Sequence, residues 1–146
     1  MMENNHLERF VKAQQKEFEA ALSEVKNGRK QSHWMWYIYP QLQGLGFSET
    51  TRFYAIKDIE QAKEYLEHQI LGARLVLISE ELLKLDLSAR QVFGSPDDLK
   101  LHSSMTLFAE VQGANPIFEQ VLQKFFKGQK DNKTLSLLRA PFNGNS

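Results

Sequence analysis

Residues 8–25, ERFVKAQQKEFEAALSEV, decide the class of fold, because their apolar side chains recur with the period of an α-helix. The side chains expected to face inward stand three or four residues apart: Phe18, Ala21, Leu22 and Val25. Gly28 follows at a position where glycine commonly ends a helix. The stretch therefore predicts an amphipathic helix that packs one face against a core.

Residues 71–85, LGARLVLISEELLKL, carry a second apolar stripe with helical spacing. Further helices are predicted before and after it. Ser48 is a preferred N-cap for a short helix that follows it. Asp58 with Gln61 has the capping-box spacing, which predicts a helix that ends near His68. The C-terminal half has three more expected helix starts, at Ser95 with Pro96, at Asn115 with Pro116, and at Asp131.

The segments between these helices are predicted to be short. Residues 88–94 are expected to form a turn, and residues 140–146 a frayed tail. Residues 33–39, HWMWYIY, are apolar throughout, so periodicity does not separate a buried strand from a buried helix. We favour a helix, because no neighbouring segment would pair with a strand. In a helix Trp34 and Trp36 point apart, and we expect Trp34 to be buried and Trp36 to face a cleft or solvent.

The expected fold is mainly α: a single compact domain over residues 1–146, with about seven helices and at most a minor strand element. Its ordered core is expected over residues 8–138. Eighteen basic and eighteen acidic residues balance, so no net field draws the protein to nucleic acid or to anionic lipid. Cysteine is absent, which excludes thiolate nucleophiles and cysteine-bound metals. Without an apolar signal segment or membrane span, a cytoplasmic location is expected.

The first candidate binding cluster contains Lys30, His33 and Trp36 and extends to Gln41. Indole rings stack on planar groups, while a lysine and a histidine can hold an anion. The alternative is that the tryptophans are core anchors and that the cations lie in a solvated turn.

The second candidate cluster lies on the helix predicted to start at Ser95. Lys100, Ser103 and Ser104 share one helix face, and Thr106 lies slightly further round. A cation with hydroxyl groups suits a phosphate or a carboxylate, because each group donates to an anionic oxygen. The alternative is a helix face whose serines hydrogen-bond to neighbouring turns.

Catalytic candidates are few. An enzyme would need a carboxylate or a histidine inside the pocket, and His33, Asp98 and Asp131 are the candidates. No metal and no cofactor are expected, since the four histidines have no ligand spacing with a carboxylate.

The two candidate clusters also carry a family resemblance. Residues 33–41, HWMWYIYPQ, residues 44–46, GLG, residues 92–94, VFG, and residues 103–108, SSMTLF, resemble the signatures of the domain-of-unknown-function 1810 family. The resemblance extends over about residues 8 to 138. It implies a small, mainly helical bacterial protein without an established activity. Some members carry the label calpastatin, although this composition is unlike that of a disordered protease inhibitor.

Three functions follow as hypotheses. The first is a small-molecule-binding domain, in which residues 33–41 and 100–106 form one pocket for an anionic, nucleotide- or phosphosugar-like ligand. The second is a hydrolase of an N-glycosidic bond in a nucleotide- or ADP-ribose-like compound at the same pocket, by analogy with other small helical proteins. The third is a self-associating module that uses the aromatic run as its interface.

Overall fold

The computed structural model describes residues 5–140, and the mainly α fold expected from the sequence is confirmed. A 3-10 turn, Asn5–Leu7, precedes nine α-helices within these residues. The helices are α1 (Glu8–Lys26), α2 (Met35–Ile38), α3 (Glu49–Phe53), α4 (Ile59–Glu67), α5 (Leu71–Leu83), α6 (Ala89–Phe93), α7 (Asp97–Ala109), α8 (Ile117–Phe126) and α9 (Asn132–Arg139). Strand structure over this part of the chain is limited to one parallel bridge between Leu42 and Ile56.

Helices α5 and α7 lie at the centre of the core, because they contact more of the other helices than the remaining elements do. Helix α7 contacts α4, α6, α8 and α9, and α5 contacts α1, α4 and α8. Because neighbours surround α7, every residue from 103 to 108 is buried. None of the helices within residues 5–140 combines the length and apolar character that crossing a membrane requires.

Side-chain caps begin several helices as the sequence predicts. The Ser48 hydroxyl accepts the N–H of Thr51 at the start of α3. The Asp58 carboxylate accepts the N–H of Gln61 at the start of α4, and Asp131 caps α9 in the same way. Such a cap satisfies one of the N–H groups that the first turn of a helix leaves free.

Two local predictions are wrong. Residues 88–94 contain a helix, α6. It is stabilised by a full capping box, in which the Ser88 hydroxyl accepts the N–H of Gln91 and the Gln91 side chain accepts the N–H of Ser88. The Ser95 side chain does not cap α7, which begins at Asp97 after Pro96. The Gly94 carbonyl accepts the N–H of Asp98 at 2.9 Å instead, so a backbone group replaces the expected hydroxyl.

The aromatic run contains a single helical turn, α2, as the sequence favours. Trp34 is fully buried, and its ring meets Phe93 edge-on with 6.3 Å between the ring centroids. Trp36 is partly exposed, so the two tryptophans have the different environments that we expect. Of the predicted tail, residues 141–146 lie outside the described residues.

Candidate functional site

The two predicted clusters are in contact. Gln41, just after the aromatic run, donates from Nε2 to the Ser103 hydroxyl on α7 at 2.8 Å. One helical turn earlier on α7, the Lys100 ammonium lies 5.4 Å from the centroid of the Trp36 ring. An ammonium at that distance is attracted by the aromatic face. The fold therefore brings the indole of one cluster beside the cation and hydroxyl of the other.

A cleft of about 340 Å³ opens at this contact. Its lining residues come from the loop after α2, from α3, from α7 and from the start of α9: Gln41, Leu45, Gly46, Thr51, Pro96, Leu99, Lys100, Ser103, Asp131 and Lys133. Trp36 lies in a small adjoining crevice, which shares Gln41 and Thr51 with the cleft. We call this set of residues, together with Trp36, the cleft.

The cleft has two ammonium groups and one carboxylate, from Lys100, Lys133 and Asp131. Asp97 lies at its back and pairs with Lys30 at 2.9 Å and, more loosely, with Lys100 at 3.6 Å. The side chain of Lys30 is only 7% exposed, whereas that of Lys100 is 27% exposed. Asp97 therefore mainly neutralises the buried Lys30, and Lys100 stays available in the cleft together with Lys133.

Asp131 is held rigidly in the cleft wall. One of its carboxylate oxygens, Oδ2, accepts from the N–H of Thr134 at 3.0 Å and from the Thr134 hydroxyl at 2.6 Å. Its own N–H donates to the Thr106 hydroxyl at 2.9 Å. No hydrogen bond to the other oxygen, Oδ1, is formed by residues 5–140. This carboxylate is therefore fixed in place with one oxygen still able to accept.

Glu24 on α1 holds the segment that leads into the aromatic run. Its carboxylate accepts from the Trp34 indole at 2.8 Å, from the Ser32 hydroxyl at 2.6 Å, and from the N–H groups of Gln31 and Ser32. Burial alone would raise the pKa of Glu24, but these hydrogen bonds lower it to about 2. Glu24 is thus charged at neutral pH and positions Trp34, two residues before Trp36.

Several candidate residues lie outside the cleft. Ser104 and Thr106 are buried, because α7 is central and these positions face other helices. Thr106 uses its hydroxyl to join the His102 carbonyl to the Asp131 N–H. Lys30 is buried against Asp97 and the Trp34 ring, from whose centroid its ammonium is 5.0 Å away. None of these three residues is among those that line the cleft.

Two catalytic candidates also fall outside the lining of the cleft. His33 is exposed before α2, and its carbonyl accepts from the Tyr37 hydroxyl at 3.3 Å. Asp98 uses its carboxylate to accept the N–H of Leu99 at 2.9 Å in the first turn of α7. Among the three candidates, Asp131 alone lines the cleft as the structure describes it.

Other cleft residues were not anticipated. Thr51 and Lys133 come from α3 and α9, two short helices whose capping patterns carry no information about where they pack. Glu24 lies outside the cleft, and the sequence gives no signal of its role, since a glutamate in an amphipathic helix is ordinarily a solvated side chain. Lys133 had a weak signal: it follows Asp131, a predicted cap, by two residues.

A larger groove lies elsewhere on the molecule and has a volume of about 540 Å³. Its walls are α4, α5 and the turn between α7 and α8, and its apolar lining includes Leu66, Val76 and Phe118. The polar side chains at its edge include Lys63, Glu67 and Glu80, all of them exposed. We take the smaller cleft as the candidate site, because Gln41, Ser103 and Asp131 in its lining are fixed in position by hydrogen bonds.

Over residues 5–140 the chain is an all-helical protein with a polar, lysine-bearing cleft beside helix α7. The chain belongs to the DUF1810 family, described as a protein of unknown function, whose family model matches residues 4–138. It is similar to a solved structure, the conserved hypothetical protein Rv1873 from Mycobacterium tuberculosis, with 43% sequence identity and a TM-score of 0.90. That similarity covers 92% of this chain and 96% of the other. No curated protein matches the chain significantly.

Proposed function

We propose that this protein binds a small anionic ligand, of nucleotide or phosphosugar type, in the cleft. The observation that carries the proposal is Lys100, a partly exposed ammonium beside the Trp36 ring at the mouth of a cleft. A cation next to an aromatic face matches the two ends of such a ligand, because the phosphate pairs with the ammonium and a flat group stacks on the indole.

The remaining polar groups support the same assignment. Ser103 accepts from Gln41, and its hydroxyl donates to the Leu99 and Lys100 carbonyls at 3.2 and 3.3 Å, so its oxygen is held at the cleft. Lys133 adds a second ammonium to the lining. With Asp131 as the opposing carboxylate, the lining has a net charge of about +1, which favours an anion over a cation. The binding residues that we propose are Trp36, Gln41, Thr51, Lys100, Ser103 and Lys133.

A hydrolase of an N-glycosidic bond at the same cleft is the second candidate. It is favoured by Asp131, a carboxylate in the lining that could activate water or stabilise a developing positive charge on a sugar. The self-association hypothesis has less support. Trp34, Ile38 and Tyr39 are buried, so the aromatic run itself exposes little surface for an interface.

The proposal also includes the setting in which the protein acts. We propose a bacterial cytoplasmic protein whose partner is the small ligand, without nucleic acid. The balanced numbers of acidic and basic residues support the last point, because nucleic-acid binding depends on a positive surface.

Isothermal titration calorimetry with AMP and with ribose 5-phosphate tests the binding proposal. The comparison uses wild type, Lys100→Ala and the matched control Lys12→Ala, an exposed lysine on α1. We expect Lys100→Ala to weaken binding by about 1–3 kcal/mol, the usual contribution of a charged hydrogen bond, and Lys12→Ala to leave it unchanged. Absence of binding to wild type, or equal affinities in the two variants, would contradict the proposal.

A further inference from the structure

We infer that Asp131 makes the cleft selective for phosphate esters that carry sugar hydroxyls, over phosphate groups that lack them. This inference rests on the proposed function and deepens it, since it names the chemical class of ligand. Its basis is the position of a fixed carboxylate in the same lining as Lys100 and Lys133.

Three hydrogen bonds hold Asp131 in position, two at its carboxylate and one at its backbone. Two hydrogen bonds from Thr134 fix Oδ2, and the Thr106 hydroxyl fixes the backbone N–H. Thr106 is itself fully buried on the central helix α7, where its hydroxyl donates to the His102 carbonyl at 2.8 Å. Residues of α7 and α9 together therefore fix the orientation of Asp131.

The Oδ1 oxygen of Asp131 can accept a further hydrogen bond, because both hydrogen bonds from Thr134 go to Oδ2. No ion pair within residues 5–140 joins this carboxylate to Lys100 or to Lys133, although all three line the cleft. An ionised carboxylate only accepts hydrogen bonds, so it repels a bare phosphate and attracts hydroxyl groups. A sugar phosphate satisfies both requirements, with its phosphate at the lysines and a hydroxyl at Asp131.

The inference predicts a difference between two ligands of equal charge. Ribose 5-phosphate carries hydroxyl donors, whereas methyl phosphate has the same phosphate monoester without them. Wild type should bind ribose 5-phosphate at least tenfold more tightly than methyl phosphate. The part-buried Ser103–Gln41 pair is accessible to both ligands alike and should not change this ratio.

The variant Asp131→Asn removes the charge and keeps a side chain that is as good an N-cap as aspartate. We expect it to bind ribose 5-phosphate at least fivefold more weakly and methyl phosphate equally well or more tightly, because the repulsion is lost. The matched control is Asp58→Asn, which changes the same residue type at the N-cap of α4, away from the cleft. It should leave both affinities at their wild-type values.

The outcomes separate this inference from the proposed function. If wild type binds both esters with equal affinity, or if Asp131→Asn leaves the ratio unchanged, the selectivity is overturned while anion binding stands. If wild type binds neither ester, both are overturned. The wild-type ratio is measured without any substitution, so the inference stays testable even if Asp131→Asn lowers stability.

Discussion

The groove and the cleft differ in how their polar groups are held. The groove between α4 and α5 is the larger, but its charged side chains, such as Glu67 and Glu80, are exposed at its edge. The cleft at α7 is smaller, yet Ser103 and Asp131 are each fixed there by hydrogen bonds. By volume alone the groove would be the candidate binding site, whereas the fixed polar groups favour the cleft.

The groove has a simple structural origin. At Gly72 a Cβ atom would lie 2.1 Å from the carbonyl oxygen of Leu66, so α4 and α5 approach each other there more closely than any side chain allows. Gly72 and Leu66 both line the groove, so this close approach forms part of its wall. The cleft instead depends on a charged framework behind it, formed by Glu24, Lys30 and Asp97.

The largest effect is expected from Trp34, which supports the cleft from behind. Trp34→Ala removes a fully buried indole and its bond to Glu24, so unfolding free energy should fall by about 3–5 kcal/mol. Trp36→Ala should cost less than about 1 kcal/mol, because that ring is partly exposed. Urea unfolding of both variants checks this. Equal losses would show that Trp36 is a structural residue and would remove its support as a ligand wall.

A smaller effect is expected at the groove. Gly72→Ala would force α4 and α5 apart, so unfolding free energy should fall by about 1–3 kcal/mol despite the better helix propensity of alanine. Affinity for ribose 5-phosphate should stay at its wild-type value, because Gly72 is not in the cleft. Thermal unfolding and calorimetry on the same sample test both statements. A loss of affinity would mean that the groove, and not the cleft, is the site.

The third effect concerns pH and the framework of the cleft. Glu24 has a pKa of about 2 in the folded protein, below its ordinary value of 4.5. A lowered pKa stabilises the fold above pH 4.5, and this contribution disappears as pH falls towards 2. Glu24→Gln should therefore destabilise the protein by about 1–2 kcal/mol at pH 7.

The difference between wild type and Glu24→Gln should shrink as the pH is lowered through this range. Denaturant unfolding at pH 7, 4 and 3 measures it, with Glu19→Gln, an exposed glutamate on the same helix, as control. A difference that is constant with pH would show that the carboxylate charge does not hold the loop.

The sequence predicts the helices well where the signal is local. The stripes of α1 and α5, and the caps Ser48, Asp58 and Asp131, depend only on residues within a few positions of one another. Ser88 and Gln91 have the spacing of a capping box, which is an equally local signal and indicates the start of α6. Ser95 failed as a cap because a backbone carbonyl, from Gly94, occupies that role.

The cleft is less predictable, because it depends on which helix lies at the centre. Lys100 and Ser103 line the cleft, whereas Ser104 and Thr106 are buried against other helices. Helical spacing shows which residues share a face of α7, but it does not show which neighbouring helix covers that face. The pairing of Lys30 with Asp97 joins residues 67 positions apart, and no local pattern encodes it. Chemical complementarity between the two clusters was nevertheless sufficient to predict that they meet.

The most direct test of the cleft as the ligand site is an NMR titration of the ¹⁵N-labelled protein with ribose 5-phosphate. Backbone amides report binding residue by residue, so the same experiment observes the cleft and the groove together. We predict saturable shifts at Gln41, Gly46 and Ser103, and unchanged resonances at Gly72 and Gly113 in the groove. Shifts concentrated at Gly72 and Gly113, or no saturable shift in either region, would contradict the account.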